Sequence, residues 1–189
     1  MLKKGDQVKP FEINDMNGDH LSTSDFPGDY LLISFMRGAD CPFCNLRLME
    51  LENHQSRMSE MGIVNYLIYH ATAKQLEKNM NRMSPAAVCK LIPDPDLALH
   101  QMYDIKKSYY GTLLTFLKIG KIIETIRKRV FTLSPIGDPP LIPADFLVDK
   151  DGKVLISHYG KDYTDNVYME DVFQLVEENG TPREAFEEV

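Results

Sequence analysis

The chain is poor in cysteine and has no tryptophan, with three Cys among 189 residues. A small, odd number of cysteines does not form the disulfide framework of a secreted protein. The amino terminus carries charges with no apolar segment behind them, and no uncharged stretch is long enough to cross a bilayer. We therefore expect neither a signal peptide nor a transmembrane segment, which makes the cytoplasm the expected location.

Basic residues are fewer than acidic ones. Lys and Arg number 21 against 28 Asp and Glu, for a net charge of −7. No stretch resembles the basic surface with interleaved aromatic residues of a nucleic-acid-binding protein, so nucleic acid is not an expected partner. A length of 189 residues with 43% hydrophobic content is enough for one compact domain and too little for two. We expect a single domain over residues 1–189.

Two cysteines three positions apart, Cys41 and Cys44, directly follow an apolar run of strand length, Tyr30–Met36. Pro42 suits the first turn of a helix, which places Cys41 at or near the N-cap. Unpaired backbone N–H groups and the positive end of the helix dipole stabilise a thiolate there. Cys41 is therefore the predicted nucleophile. Cys44, one turn further, is placed to attack a mixed disulfide formed by Cys41.

The rest of the pattern alternates strands and helices, which favours parallel strands with right-handed crossovers. Gly62 stands where a glycine would end the helix that carries the cysteines. The predicted elements are extended pieces at 11–14 and 20–22, strand 30–36, helix 42–61, strand 63–69, helix 74–83, strand 88–92, helix 97–103, helix 112–131, hairpin strands 145–148 and 154–158, and a closing helix 168–179.

The stretch 112–131 is amphipathic. Its apolar residues recur at helical spacing, and basic residues such as Lys118, Lys121 and Arg127 form its other side. We interpret it as a packed helix that completes the domain. The alternatives are a homodimer surface, the wall of an apolar pocket that selects an organic hydroperoxide or a lipid-like substrate, and a helix on a membrane surface. The apolar residues are Phe116, Ile119, Ile123, Ile126 and Val130.

Three stretches carry a resemblance: RGADCPFC at 37–44, IPDPD at 92–96 with YDI at 103–105, and IPADFLVDKDGKV at 142–154. Over about residues 11–176 the chain resembles the thioredoxin-fold proteins of the AhpC/TSA group, the peroxiredoxin-like proteins. The resemblance implies an α/β fold with a central mixed sheet flanked by helices, here with an N-terminal extension and an inserted amphipathic helix. It also implies that Pro143 is cis and faces the cysteine pair.

The sequence departs from the typical peroxiredoxin pattern at the peroxide site. That pattern is Pro-X-X-X-Thr/Ser-X-X-Cys, whose hydroxyl and backbone groups bind the peroxide, whereas this chain has Ser34 and Gly38 at the positions seven and three before Cys41. Typical members also have an arginine just ahead of the late antiparallel strand, and this chain has none there. A guanidinium is still needed beside the thiolate, and Arg37 is the only basic residue close enough in sequence.

These residues define the expected site. In the expected reaction Cys41 reduces a hydroperoxide, Cys44 resolves the product, and a dithiol system such as thioredoxin or glutaredoxin restores both without a cofactor or metal. One alternative is thiol–disulfide exchange with protein or glutathione disulfides, because Cys-Pro-Phe-Cys resembles the dithiol turn of glutaredoxins. Another is a non-catalytic interaction domain. The predicted catalytic residues are Cys41, Cys44 and Arg37, and the predicted substrate-binding residues are Pro143, Gly38 and Phe43.

The cysteines also have structural interpretations. Cys41 and Cys44 could be half of a zinc site, but this needs a second pair or two well-spaced histidines, and neither Cys89 nor the five histidines has such a spacing. Cys89 lies in an apolar, strand-like setting. We predict that it is a small buried hydrophobic residue rather than a resolving thiol.

Overall fold

A computed structural model describes residues 1–80, 89–128 and 140–179. At its centre lies a mixed five-stranded sheet, preceded by a small hairpin of β1 (Glu12–Asn14) and β2 (His20–Ser22). The sheet strands are β3 (Tyr30–Met36), β4 (Ile63–Tyr69), β5 (Cys89–Pro93), β6 (Ala144–Asp149) and β7 (Val154–Tyr159). Their spatial order is β5-β4-β3-β6-β7, with β3, β4 and β5 parallel and β6 and β7 each antiparallel to its neighbours.

Helices flank this sheet, and the predicted thioredoxin-like α/β class is confirmed. None of the helices in the described ranges is long and apolar enough to cross a membrane. They are α1 (Pro42–Asn53), α2 (Gln55–Glu60), α3 (Ala73–Met80), α4 (Ala98–Met102), α5 (Tyr109–Leu117), α6 (Ile119–Arg127) and α7 (Met169–Asn179).

Strand β3 is the middle strand, and all seven of its residues are buried. Successive side chains of a strand point to opposite faces of the sheet, so an unbroken apolar run supplies both faces at once. One core cluster contains Leu31, Ile33 and Phe35, and the cluster on the other face contains Tyr30, Leu32 and Met36. The strand that leads to the cysteines is thereby held on both sides.

The predicted helix over 42–61 is present but divided. It is interrupted at His54, whose φ of −98° and ψ of 4° separate α1 from α2. The predicted buried face persists through the break, because Leu48 in α1 and Met58 in α2 are both fully enclosed. Gly62 ends the segment with a φ of 66°, as predicted for a glycine just past a helix.

The inserted segment is helical but is also divided. Instead of one helix over 112–131, the chain forms α5 and then α6, and Lys118, with φ −85° and ψ 64°, lies between them. Ser108 caps α5, because its hydroxyl accepts a hydrogen bond from the Gly111 N–H. The last predicted residues, 129–131, lie outside the described residues.

The interpretation of the stripe on this segment as a packed face is wrong. Phe116, Ile119, Ile123 and Ile126 are all exposed, and Thr115 is buried in their place. Gly111 explains the inversion, since a Cβ there would lie 2.6 Å from both Ile142 Cδ1 and the Lys161 carbonyl oxygen. Helix α5 thus approaches the body of the protein through its small residues, which leaves its large ones outside.

The remaining boundaries follow the predictions closely. The hairpin of β6 and β7, the strand β4 and the closing helix α7 each begin and end within about two residues of the predicted limits. Helix α3 begins at Ala73, and the predicted end of this helix at residue 83 and the Ser84-Pro85 break lie in a part of the chain that the structure does not describe.

Candidate redox site

Cys41 occupies the N-cap of α1, as predicted. Its backbone is extended, with φ −72° and ψ 118°, and Pro42 is the first helical residue. The Cys41 N–H donates to the Gly38 carbonyl at 3.1 Å, and the Cys41 carbonyl accepts from the Asn45 N–H at 3.1 Å. The turn therefore closes on itself just before the helix begins, with the side chains of Cys41 and Cys44 both buried.

The two thiols of the pair have pKa values shifted in opposite directions. A hydrogen bond from the Cys44 thiol lowers the pKa of Cys41; burial opposes this, and the Arg37 guanidinium and backbone N–H groups lower it further, to about 6 from an ordinary 9.0. Burial and the bond to Cys41 raise the pKa of Cys44 well above 9.0. At neutral pH Cys41 is therefore a thiolate, while Cys44 keeps its proton.

Arg37 reaches the nucleophile, as predicted, and is itself held by an aromatic ring. Its Nη1 lies 3.7 Å from Cys41 Sγ, and its Cζ lies 3.8 Å from the centre of the Tyr163 ring. The Tyr163 N–H donates to Thr115 Oγ1 at 2.9 Å, and the Tyr163 hydroxyl is hydrogen-bonded to the Thr112 hydroxyl. Helix α5 therefore positions the ring on which the guanidinium stacks.

Gly38 and Phe43 border the cysteine turn. Gly38 is buried and supplies the carbonyl that accepts from Cys41. Phe43 is half-buried, and its ring centre lies 6.5 Å from that of Tyr163. Phe43 also lines a pocket of about 240 Å³ between α1 and α6, together with Arg47. Cys41 is not among the residues that line this pocket, and the role of Phe43 as a substrate contact stays a prediction.

Pro143 directly precedes β6, and the implied contact with the cysteine pair stays a prediction. Because Ala144 pairs with Phe35, the residue before it lies beside the end of β3, next to the cysteine turn. The cis prediction is wrong, since every peptide bond in the described part of the chain is trans. Its neighbours hold this segment in the sheet: the Ile142 N–H donates to the Lys106 carbonyl and the Pro143 carbonyl accepts from the Gly160 N–H, both at 2.9 Å.

Sequence reasoning missed a buried histidine next to the site. His100 lies in α4, 1% exposed, with Nδ1 2.6 Å from Asp94 Oδ2 and Nε2 2.9 Å from the Met36 carbonyl oxygen. A carbonyl only accepts hydrogen bonds, so Nε2 carries a proton. Burial raises the pKa of Asp94, but hydrogen bonds from His100 outweigh it and the pKa lies below 3.8.

Asp94 is consequently a carboxylate at neutral pH. With His100 it forms a buried hydrogen-bonded pair, which is attached to the last residue of the strand that leads to Arg37. In the sequence, the one indication of this pair is that Asp94 belongs to the stretch 92–96, which carries part of the family resemblance. The sequence had no periodicity that would bring a histidine six residues later onto Met36.

A second buried polar group, the Asp145 side chain, lies on strand β6. The Asp145 carboxylate accepts from the Ser34 hydroxyl at 2.7 Å and from the Val167 N–H at 2.9 Å, and Arg47 Nη2 lies 3.6 Å away. Ser34 is the residue seven positions before Cys41. Its hydroxyl is used by Asp145, which lies within the sheet on β6.

Cys89 packs as a small buried hydrophobic residue in the core cluster, as predicted. Burial, and to a smaller extent Glu52, raise its pKa while Arg47 lowers it, and the result is a pKa of about 12. A thiol with this pKa is protonated and inert at neutral pH. Over the described ranges, no three His, Cys, Asp or Glu side chains gather in a way that could hold a metal ion.

Comparisons with known proteins bear on the fold and the family. The profile of the AhpC/TSA family matches residues 4–156, and no curated protein sequence matches. The chain is similar to peroxidoxin BcpB from Mycobacterium tuberculosis, with a TM-score of 0.69 at 16% identity over 96% of this chain and 100% of that one.

Two further solved structures are similar. A mutant of peroxiredoxin 6 from Arenicola marina has a TM-score of 0.70 at 11% identity, covering 94% of this chain and 73% of that one. A thiol:disulfide interchange protein from Bacteroides sp. has a TM-score of 0.56 at 17% identity, covering 98% and 96%. At these identities the likeness shows the fold alone.

Proposed function

Because this chain belongs to the AhpC/TSA family and is a thioredoxin-fold oxidoreductase, we propose that it reduces hydroperoxides with Cys41 as nucleophile and Cys44 as resolving cysteine. One observation carries the proposal: the Cys41 thiol, at the N-cap of α1 and 3.7 Å from the Arg37 guanidinium, has a pKa of about 6. The thiolate is the form that attacks, and it predominates at neutral pH.

The first step oxidises Cys41. Its thiolate attacks one oxygen of the hydroperoxide; an S–O bond forms and the O–O bond breaks, giving a sulfenic acid and an alkoxide or hydroxide that takes a proton from water. The Arg37 guanidinium, beside Sγ, stabilises the negative charge that develops on the leaving oxygen. Since Cys41 is fully enclosed, the groups around Sγ must shift to admit the substrate.

The second step closes a disulfide. The Cys44 thiol attacks the sulfenic sulfur; an S–S bond forms, and the hydroxyl leaves as water with the Cys44 proton. An external dithiol, of the thioredoxin or glutaredoxin kind, then reduces this disulfide and is itself oxidised. We propose that Pro143, beside the end of β3, and Phe43, beside the pocket, contact the substrate or this reductant.

Three cysteine variants test the assignment. Cys41→Ser should lower hydroperoxide reduction more than about a thousandfold, because a serine hydroxyl is hardly ionised at neutral pH. Cys44→Ser should keep the first step and accumulate a sulfenic or over-oxidised Cys41, visible as added oxygen in intact-mass spectra. Cys89→Ser is the matched control and should turn over normally. Full activity of Cys41→Ser, or oxygen found on Cys44 or Cys89, would overturn the proposal.

Thiol–disulfide exchange is a second candidate, favoured by the surroundings of the cysteine pair. The hydroxyl of Ser34 is bonded to Asp145, and Gly38 has no hydroxyl to offer a peroxide. In this reaction the Cys41 thiolate attacks a substrate disulfide, which forms a mixed disulfide and releases one thiolate. The Cys44 thiol then attacks the Cys41 sulfur, which forms the Cys41–Cys44 disulfide and releases the second substrate thiol with the Cys44 proton. Challenge of Cys44→Ser with glutathione disulfide and with a hydroperoxide, side by side, separates the two. A faster mixed disulfide identifies exchange, and a faster sulfenic acid identifies peroxide reduction.

A further inference from the structure

Helices α5 and α6 expose an unusual number of large apolar side chains. We call them the α5–α6 face, and each is between 43% and 83% exposed. Isolated exposed apolar residues are ordinary in soluble proteins, but a concentration on two consecutive helices marks an interaction surface. The members of the face are Tyr109, Tyr110, Leu113, Phe116, Leu117, Ile119, Ile123 and Ile126.

On α6, Lys121, Glu124 and Lys128 lie on the side toward α1, and both lysines remain partly exposed. Lys121 and Lys128 both pair with Glu124, and all three line the pocket against α1. Just before α6, Lys118 pairs with Asp162 at 2.7 Å. A helix that packs on a core by its apolar side has the reverse polarity. Among the described residues, none buries the isoleucines of the face.

The charge of the segment indicates the chemistry of that occupant. Between residues 106 and 129 the sequence has seven Lys or Arg and one acidic residue, Glu124, in a chain whose net charge is −7. Lys106, Lys107 and Arg127 are exposed beside the face. A second copy docked symmetrically would bring two such basic segments together, and like charges repel. The occupant should be apolar where it meets the face and negatively charged around it.

We propose that the α5–α6 face docks on the surface of an anionic lipid bilayer. Short helices with aromatic and branched aliphatic residues on one side and basic residues beside them lie in the membrane interface, with the apolar side chains among the acyl chains and the cations at the head groups. The two tyrosines at the start of α5 suit the head-group level, where amphipathic rings accumulate. The helices lie on the bilayer without crossing it.

Vesicle co-sedimentation of the full chain tests this independently of any redox activity. The probes are vesicles of phosphatidylcholine alone and vesicles with about one-third phosphatidylglycerol. Binding should be confined to the anionic vesicles and should weaken as salt rises from 50 to about 300 mM, because the basic residues provide the attraction. The triple variant Phe116→Gln/Ile119→Gln/Ile126→Gln should bind at least tenfold more weakly, since it keeps the charge and removes apolar contacts.

Matched variants separate the face from the rest of the surface. Tyr110→Ser should weaken binding, while Tyr168→Ser, an equally exposed tyrosine outside the face, should not. Lys106→Gln/Lys107→Gln should weaken it more than Lys74→Gln/Lys78→Gln, which removes the same charge from α3. Circular dichroism checks that each variant is folded.

No partition onto anionic vesicles, or equal partition of the triple variant, would overturn the proposal. So would self-association of the chain that the triple variant abolishes while vesicles stay unbound, because the face would then bind a second copy. Loss of peroxide reduction has no bearing on this outcome, so the two proposals fail separately.

Discussion

Helix α1 and helices α5 and α6 have apolar residues at similar spacing in the sequence, but these residues are mostly buried in α1 and mostly exposed in α5 and α6. All three contain apolar residues at helical spacing; these stand next to charged residues in α1 and α6, and next to Gly111 and two threonines in α5. Helix α1 lies against the sheet, and its Leu48 and Leu51 are completely enclosed. Helix α5 contacts the body of the protein through Gly111 and Thr115 and leaves its leucines and aromatic rings outside. An amphipathic pattern therefore predicts a helix, while the burial of its apolar side depends on a surface that other segments provide.

The enclosed region and the exposed helices also contribute to the redox site in different ways. The enclosed region holds the groups whose pKa values are shifted, because burial and close partners act strongly where water is absent. The exposed helices contribute hydrogen bonds between Tyr163 and both Thr112 and Thr115, which position the Tyr163 ring. Because Arg37 stacks on this ring, α5 is in indirect contact with the residue that stabilises the Cys41 thiolate.

The largest expected effect lies in the enclosed region, at the His100–Asp94 pair behind the redox turn. His100→Ala should lower the free energy of unfolding by about 3–5 kcal/mol, because it leaves the Asp94 carboxylate buried without its imidazole partner. Chemical denaturation measures this. The control is His20→Ala, whose exposed ring lies 3.9 Å from Glu12 and should contribute about 0–1 kcal/mol. Equal losses in the two variants would contradict a stabilising role of the buried His100–Asp94 pair.

The pH dependence of this pair has a definite sign. The pKa of Asp94 lies below its ordinary 3.8 in the folded chain, so the unfolded chain takes up the proton first as pH falls. The contribution of the pair is therefore complete above about pH 4 and is lost at lower pH, as the folded carboxylate in turn becomes protonated. The stability difference between the native chain and Asp94→Asn should shrink in that range, and an unchanged difference at low pH would argue against a paired carboxylate.

The next effect contrasts the two regions with the same substitution. Leu48→Ala in α1 should cost about 2–5 kcal/mol of unfolding free energy, because it opens a cavity in the core. Leu113→Ala in α5 should change stability by less than about 0.5 kcal/mol, because the leucine is 58% exposed and alanine favours helix. A large loss from Leu113→Ala would show that the α5–α6 face is covered in the isolated chain.

The smallest effect is on reactivity. Arg37→Gln should raise the pKa of Cys41 from about 6, because the guanidinium that stabilises the thiolate is removed. The alkylation rate near pH 6.5 should fall severalfold, with its midpoint moved to higher pH. Arg57→Gln is the matched control: Arg57 stacks on Phe173 at 4.1 Å as Arg37 stacks on Tyr163, but it has no cysteine beside it. A midpoint that moves equally in both variants would remove Arg37 from the site.

Local chemistry in the sequence was sufficient for much of the fold and for the core of the site. The mostly apolar run Tyr30–Met36 has the length of a strand buried on both faces, and Cys41 before Pro42 favours a helix N-cap, as the structure has them. The Arg37 contact with Cys41 spans four residues of a tight turn, so the sequence distance alone brought the two together. Gly62 followed from the same local rule, since a helix that ends in the left-handed region prefers glycine.

Tertiary structure alone decided the features that depend on distant segments. The ring that holds Arg37 comes from residue 163, the imidazole at the Met36 carbonyl from residue 100, and the backbone partners of residues 142 and 143 from residues 106 and 160. The exposure of the α5–α6 face was decided in the same way. Periodicity reports that a helix has an apolar side, but the close approach of Gly111 to Ile142 and Lys161 determined which side met the protein.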